Sequence, residues 1–180
     1  MKDETIFHLI SDIADKNGVS CVLIGGFAVN HYKVTRQTLD VDFLITKEDF
    51  ERILPLLQNA GYKTDYSQEV FTRLKSNQLM LMDIDFMFVD EDTLSKIIKD
   101  GEKINIANKR FIVPSLSNLI ALKLHSIKYN PKMREMKDLP DIINLIRINK
   151  MDFKSNNFRT LCLKYGTEEI YSRISGILED

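Results

Sequence analysis

The stretch Leu23-Ile24-Gly25-Gly26-Phe27-Ala28-Val29, followed by Arg36-Gln37-Thr38-Leu39-Asp40-Val41-Asp42-Phe43-Leu44-Ile45, decides how the rest of the chain is read. Val19 to Ile24 is an apolar run of strand character, stopped by a diglycine, and Phe27 to Tyr32 then reads as one or two helical turns. Val41 to Ile45 is a second strand. Alternate side chains on a strand share a face, which sets Asp40 and Asp42 side by side, about 7 Å apart. Two carboxylates so placed repel each other and lose hydration unless a cation or a basic group stands between them. A hard divalent ion such as Mg²⁺ fits that demand, because it takes oxygen ligands from one or two carboxylates and from phosphate. Gly25-Gly26 lets the backbone come close to a phosphate and aim N–H groups at it. The spacing matches neither the dinucleotide-binding fingerprint nor the P-loop.

A second acid pair lies in Met82-Asp83-Ile84-Asp85-Phe86-Met87-Phe88. Asp83 and Asp85 share one face, with Ile84, Phe86 and Phe88 on the other. Set beside the first strand, a third carboxylate would complete a two-metal site of the kind that clamps the attacking and leaving oxygens of a phosphoryl displacement. Asp85 is preferred for this over Asp83, because the apolar run after it buries that end of the strand.

Outward from these strands, Ile6 to Ala14 has helical periodicity ending near Asn17-Gly18. Thr46 to Asp49 is a capping box for a helix reaching Asn59 to Gly61. Val70 to Leu74 and Leu79 to Val89 are expected as strands joined at Ser76-Asn77, with a short helix over 92–99 and a strand over 109–113. Beyond Pro114 the pattern is helical. Ser115 to Asn118 caps a helix to about Tyr129, and a loop around Asn130-Pro131 follows. Asp138 then caps a further helix with Pro140 in its first turn and Asp141 completing a box. Helices over 153–165 and 168–178 close the chain. On the helix from Leu116, residues 116, 119, 120, 124 and 127 form an apolar stripe with Lys123 inside it, so Lys123 needs an anionic partner or must snorkel. The pattern predicts a mixed α/β core over 1–113 and a helical part over 114–180, packed as one unit.

The chain has 180 residues, 44% hydrophobic and 28% charged, which suits one globular domain and excludes disordered and fibrous classes. The net charge of −1 hides a division. Residues 1–102 hold 11 Lys/Arg against 18 Asp/Glu, and residues 103–164 hold 13 against 4. That separation points to a bound cation on one part and a polyanion on another. No run is long enough to span a membrane and the acidic start is unlike a signal peptide, so a cytoplasmic protein is expected, with Cys21 and Cys162 as reduced thiols. His8, His31 and His125 lack metal-site spacing, and a nucleophile-elbow motif is absent.

Gly25-Gly26, Arg36-x-Thr38-x-Asp40-x-Asp42 and the isolated Asp85 strand together resemble the polymerase-β-like nucleotidyltransferase superfamily, and within it the AbiEii/type IV toxin-like branch. The likeness covers roughly residues 19–146. It implies a mixed sheet with flanking helices, and transfer of a nucleoside monophosphate from a nucleoside triphosphate to an acceptor hydroxyl. Asp40, Asp42 and Asp85 would hold Mg²⁺ or Mn²⁺, and Gly25, Gly26, Arg36 and Thr38 would line the nucleotide. Many members carry Ser where this chain has Phe27. In the AbiEii-like branch a lysine on the helix faces the triphosphate, which implies that role for Lys123, with Arg134 and Lys137-Asp138 as the accompanying basic loop and Lys-Asp pair. The resemblance also implies a possible antitoxin partner, and the basic segment favours an RNA or tRNA acceptor. An aminoglycoside-type acceptor is the alternative, as is a non-catalytic nucleotide- or partner-binding module on the same fold.

Overall fold

The structure, a computed structural model, describes residues 5–78 and 81–179. The chain divides into two compact units, residues 1–27 with 37–114, and residues 28–36 with 115–180. Residues 28–36 therefore go with the helical unit, where a cut at 113/114 would leave them in the core.

The first unit is α/β. Its elements in chain order are α1 (Ile6–Asn17), β1 (Val22–Leu23), the start of α2 (Gly25–His31), β2 (Asp40–Ile45), α3 (Lys47–Asn59), β3 (Tyr62–Gln68), β4 (Phe71–Ser76), β5 (Asp83–Phe88), α4 (Glu91–Asp100), β6 (Glu102–Ile106) and β7 (Lys109–Val113). Five strands form one sheet in the order β1-β2-β5-β4-β3, and β6 and β7 form a separate ribbon. β2 and β5 run parallel at its centre, and the other pairs are antiparallel. The centre is buried on its apolar positions: Val41, Phe43, Ile45, Ile84 and Phe86 are fully enclosed. Phe43 stacks on Phe86 at 5.9 Å between ring centroids, and Phe50 meets Phe86 at 5.1 Å and Phe88 at 5.0 Å. Each such ring contributes about 1.5–3 kcal/mol by burial, which fixes the register of β2 against β5.

Two strands lie outside the apolar pattern. β3 has one buried residue, Tyr62, and is otherwise exposed, and β6 is largely exposed as well. A strand buried on neither face leaves no alternation to read. β5 begins at Asp83, later than expected; Leu79 and Met80, also assigned to that strand, lie outside the described residues. Cys21 and Cys162 are free thiols, each pushed up to about 12 by burial.

The second unit is helical, with α5 (Leu116–Tyr129), α6 (Pro131–Ile148), α7 (Asn156–Tyr165) and α8 (Glu168–Glu179). Its core includes Val29, Ile120, Leu124, Ile142, Leu145 and Cys162. Here the structure corrects the sequence reading. The expected loop at Pro131 is the first turn of α6, with Pro at its start, and the helix runs on through Pro140. Asp138 is thus a mid-helix residue and no cap. Proline at position 131 lacks only an N–H that a first turn leaves unpaired, so it starts the helix well. The apolar face Leu139, Ile142, Ile143 and Ile146 holds the helix together across the bond that Pro140 forgoes. Among the described residues, no helix is long and apolar enough to cross a membrane.

Candidate active site

The acids gather because of register. Across the parallel pair, Asp40 stands opposite Asp83 and Asp42 opposite Asp85. With a period of two along each strand, all four carboxylates occupy one face of the sheet. Asp85 is 5% exposed, and Asp40, Asp42 and Asp83 are half-buried.

The neighbouring strand adds a cation to that face. Arg73 on β4 is the direct partner of Asp85. Its Nε donates to Asp85 Oδ1 at 2.7 Å and its Nη2 to Oδ2 at 2.6 Å, a two-pronged charge-assisted contact. Nη2 also lies 3.6 Å from Asp40 Oδ2. These contacts, the hydrogen bonds to Asp85 first and the charges of Asp85, Asp40 and Asp83 after, raise the affinity of the guanidinium for its proton. Asp83 has a local task, accepting the Ser76 backbone N–H at 3.3 Å where β4 ends.

The diglycine is fitted to the same acids. Gly25 has φ of +62°, and a Cβ there would overlap the Asp42 carboxylate. A Cβ on Gly26 would come within 2.6 Å of the Thr38 Cβ. The close approach these glycines permit is therefore made by this chain's own side chains. Thr38 in turn donates from Oγ1 to Asp40 Oδ1 at 2.9 Å, which fixes that carboxylate. Phe27 packs edge-on against Phe7 at 5.0 Å.

The helical unit holds the other residues implicated by sequence. Lys123 is 6% exposed, and its Nζ donates to Asp138 Oδ1 at 2.8 Å and to Asp141 Oδ2 at 2.6 Å. Arg36 pairs with the same Asp141 oxygen through Nη1. Arg36 is tied to its own segment as well, its N–H donating to Asn30 Oδ1 at 2.7 Å. Two carboxylates and two cations thus alternate in one small network. Asp141 is the residue that sequence reasoning placed in a capping box. The available signal was its spacing: Asp138 and Asp141, three apart on a helix, share a face, and an inward lysine needs such a face.

A divalent ion finds a partial fit on the sheet. Asp40 and Asp42 offer hard oxygen donors on one face of β2, Asp40 oriented by Thr38. Asp85 does not present itself as a third, since both of its oxygens are taken by Arg73. Among the described residues, no three His, Cys, Asp or Glu side chains converge as a ready cage.

A protein-family profile described as an uncharacterised nucleotidyltransferase matches residues 8–178. The chain belongs to this nucleotidyltransferase family. In sequence, no protein of curated function matches it. Among solved structures, this nucleotidyltransferase is similar to the antibiotic-resistance factor ANT(2'')-Ia, with a TM-score of 0.63 at 14% identity over 94% of this chain and 91% of that one. It is similar to the lincosamide antibiotic adenylyltransferase LnuA, with a TM-score of 0.53 at 16% identity over 77% of this chain and 93% of that one. A nucleotidyltransferase-like protein from Paracoccidioides brasiliensis gives a TM-score of 0.56 at 16% identity, over 94% and 88% of the two chains. At these identities the likeness is one of fold, the polymerase-β-like nucleotidyltransferase α/β core with a helical part.

Proposed function

We propose that this nucleotidyltransferase moves a nucleoside monophosphate from a nucleoside triphosphate to an acceptor hydroxyl, with Mg²⁺ or Mn²⁺ held by Asp40 and Asp42. The observation that carries the reading is the register of Asp40 and Asp42 on β2 against β5, with Gly25 stripped of a side chain where Asp42 needs the room. In the reaction the acceptor oxygen bonds to the α-phosphorus and the α–β bridging bond breaks. Pyrophosphate departs and the hydroxyl proton is released to the medium. A divalent ion, when bound, supplies Lewis-acid polarisation of the phosphate oxygens. Asp40, fixed by Thr38, and Asp42, seated against Gly25, are held in place before substrate arrives, and such preorganisation is the main source of catalysis in phosphoryl transfer.

Gly26 makes room for Thr38, and Thr38 orients Asp40, so both act through a carboxylate. Arg36, Lys123 and Asp138, which the family resemblance turns toward the triphosphate, satisfy one another with Asp141 in this chain. Their task in this reading is to fix α5, α6 and the segment that leads into Thr38.

For the acceptor we favour a nucleic acid, such as the end of a tRNA. Tyr129 is 71% exposed at the end of α5, its ring 4.5 Å from that of His125 and 5.8 Å from Lys128 Nζ. An exposed ring beside a lysine is what base stacking uses, and the surrounding segment is the basic one. A toxin role and an antitoxin partner have only the motif resemblance behind them.

The test is incubation of the full chain with each labelled triphosphate, Mg²⁺ or Mn²⁺, and total RNA. Metal-dependent pyrophosphate release with label on RNA is expected. Label on small molecules would replace the acceptor, and no release with any triphosphate would leave a non-catalytic module as the better account.

A further inference from the structure

We propose that Arg73 is a resident countercation of the acid cluster that takes the place of one divalent ion, so that the chain binds a single Mg²⁺ or Mn²⁺, on Asp40 and Asp42. The inference rests on the nucleotidyltransferase reading above and departs from the two-ion site that the three acids imply.

The geometry is set by strand pairing. Arg73 on β4 is opposite Asp85 on β5, and Asp85 is opposite Asp42 on β2, which makes one row of three across the sheet. The guanidinium is planar, and its fork matches both oxygens of a carboxylate, so both oxygens of Asp85 are engaged by a cation through the contacts at 2.7 and 2.6 Å. The same Nη2 approaches Asp40 to 3.6 Å. Arg73 therefore stands between Asp85 and Asp40, where an ion drawing on both β5 and β2 would compete with it.

Burial argues that the pair persists. At 5% exposure, Asp85 needs a partner with or without substrate, and an arginine that is always charged provides one. A second divalent ion would have to displace a bidentate cation held by the ladder itself. The first ion meets no such competitor for both oxygens of Asp40, because Arg73 reaches it through one prong at the longer distance.

The experiment counts ions. The full chain is titrated with Mn²⁺ alone, and free Mn²⁺ is followed by electron paramagnetic resonance. Wild type is expected to hold one Mn²⁺. Arg73→Met should free Asp85 and admit a second ion, or tighten the first about tenfold or more through loss of a nearby positive charge. Adding Asp85→Asn to that variant should return the count to one. Circular dichroism and a melting curve establish that each variant folds. If Arg73→Met does not fold, Arg73→Lys replaces it; keeping the charge but not the fork, it should bind Mn²⁺ about threefold more tightly than wild type, a modest share of that Coulomb effect. Two ions on wild type, none at all, or a folded Arg73 variant that binds as wild type does would overturn the proposal. Pyrophosphate release measured in parallel separates the two readings: transfer with two ions sinks this inference alone, and one ion without transfer sinks the function alone.

Discussion

On the sheet face, Asp40, Asp42, Asp83 and Asp85 share the side on which Arg73 pairs with Asp85 and approaches Asp40, whereas in the helical unit Asp138 and Asp141 meet Lys123 and Arg36. Both clusters bury charge, and both use a basic residue from a neighbouring element. They differ in balance. The helical cluster satisfies itself and asks nothing of a ligand. On the sheet face Arg73 grips Asp85 with its fork and reaches Asp40 only at 3.6 Å, so one guanidinium serves two carboxylates unequally. Buried charge alone does not mark a site; acids set side by side by strand register, with one partner reached only at long range, do.

That comparison breaks most easily at Lys123. Replacing it by Met leaves Asp138 and Asp141 buried with one cation between them, and the expected loss is about 3–5 kcal/mol in denaturant unfolding. Restoring much of it by adding Asp138→Asn would confirm that the loss is one of balance. A Lys123→Met protein as stable as wild type would show that the network is no more than a surface pair.

Asp40→Asn tests the other side. Removing one of four crowded acids should leave stability unchanged or raised, while transfer falls about a hundredfold or more through loss of a preorganised charge. The rise in melting temperature on adding Mn²⁺ should vanish with it. A large loss of stability in the variant without metal would put the two clusters in one class.

Gly25→Ala sharpens the account of how the acids are seated. It forces a side chain into the left-handed region, at about 1–2 kcal/mol, and adds the overlap with Asp42. Gly18→Ala is the control, since its φ is +61° but nothing lies within 4 Å of a Cβ there. Calorimetric melting should show Gly25→Ala as the worse of the two.

The smallest effect is expected at His125, near the basic surface. Desolvation first, and Lys128 second, hold its imidazole below the ordinary value of 6.5. The fold thus favours the neutral ring, and the stability this contributes is present above 6.5 and is lost as pH falls toward the lower folded value. An NMR titration of the ring protons should give a midpoint below 6.5; one above it would mean that a carboxylate faces the ring.

Much of this was legible in the linear sequence. β2, β5, α3 and α5 declare themselves through apolar period and caps, and the alternation of Asp40 with Asp42 and of Asp83 with Asp85 anticipates a shared face. What the sequence hid was pairing. Nothing in Phe71-Thr72-Arg73 says which acid lies across the ladder, so Arg73 was passed over. Lys123 was singled out for an anionic partner, but the partner was concealed by Pro140, which reads as the start of a helix and split α6 in two. Once α6 is continuous, Asp138 and Asp141 turn together onto Lys123.

The outer strand β3 has a consequence of its own. Its open edge carries Lys63 and Asp65 in place of apolar residues, Asp65 pairs with Lys75, and the ladder slips between Thr64 and Tyr66. A bulged, charged edge is a poor template for another strand, whereas a straight apolar one recruits copies of itself. At the far side β1 is only two residues long and offers almost nothing to pair with. The sheet is thus closed to polymerisation at both ends by means that owe nothing to catalysis. Deleting Asp65 would remove one edge charge and the slip in the ladder together, leaving β3 a straighter template for pairing with another strand.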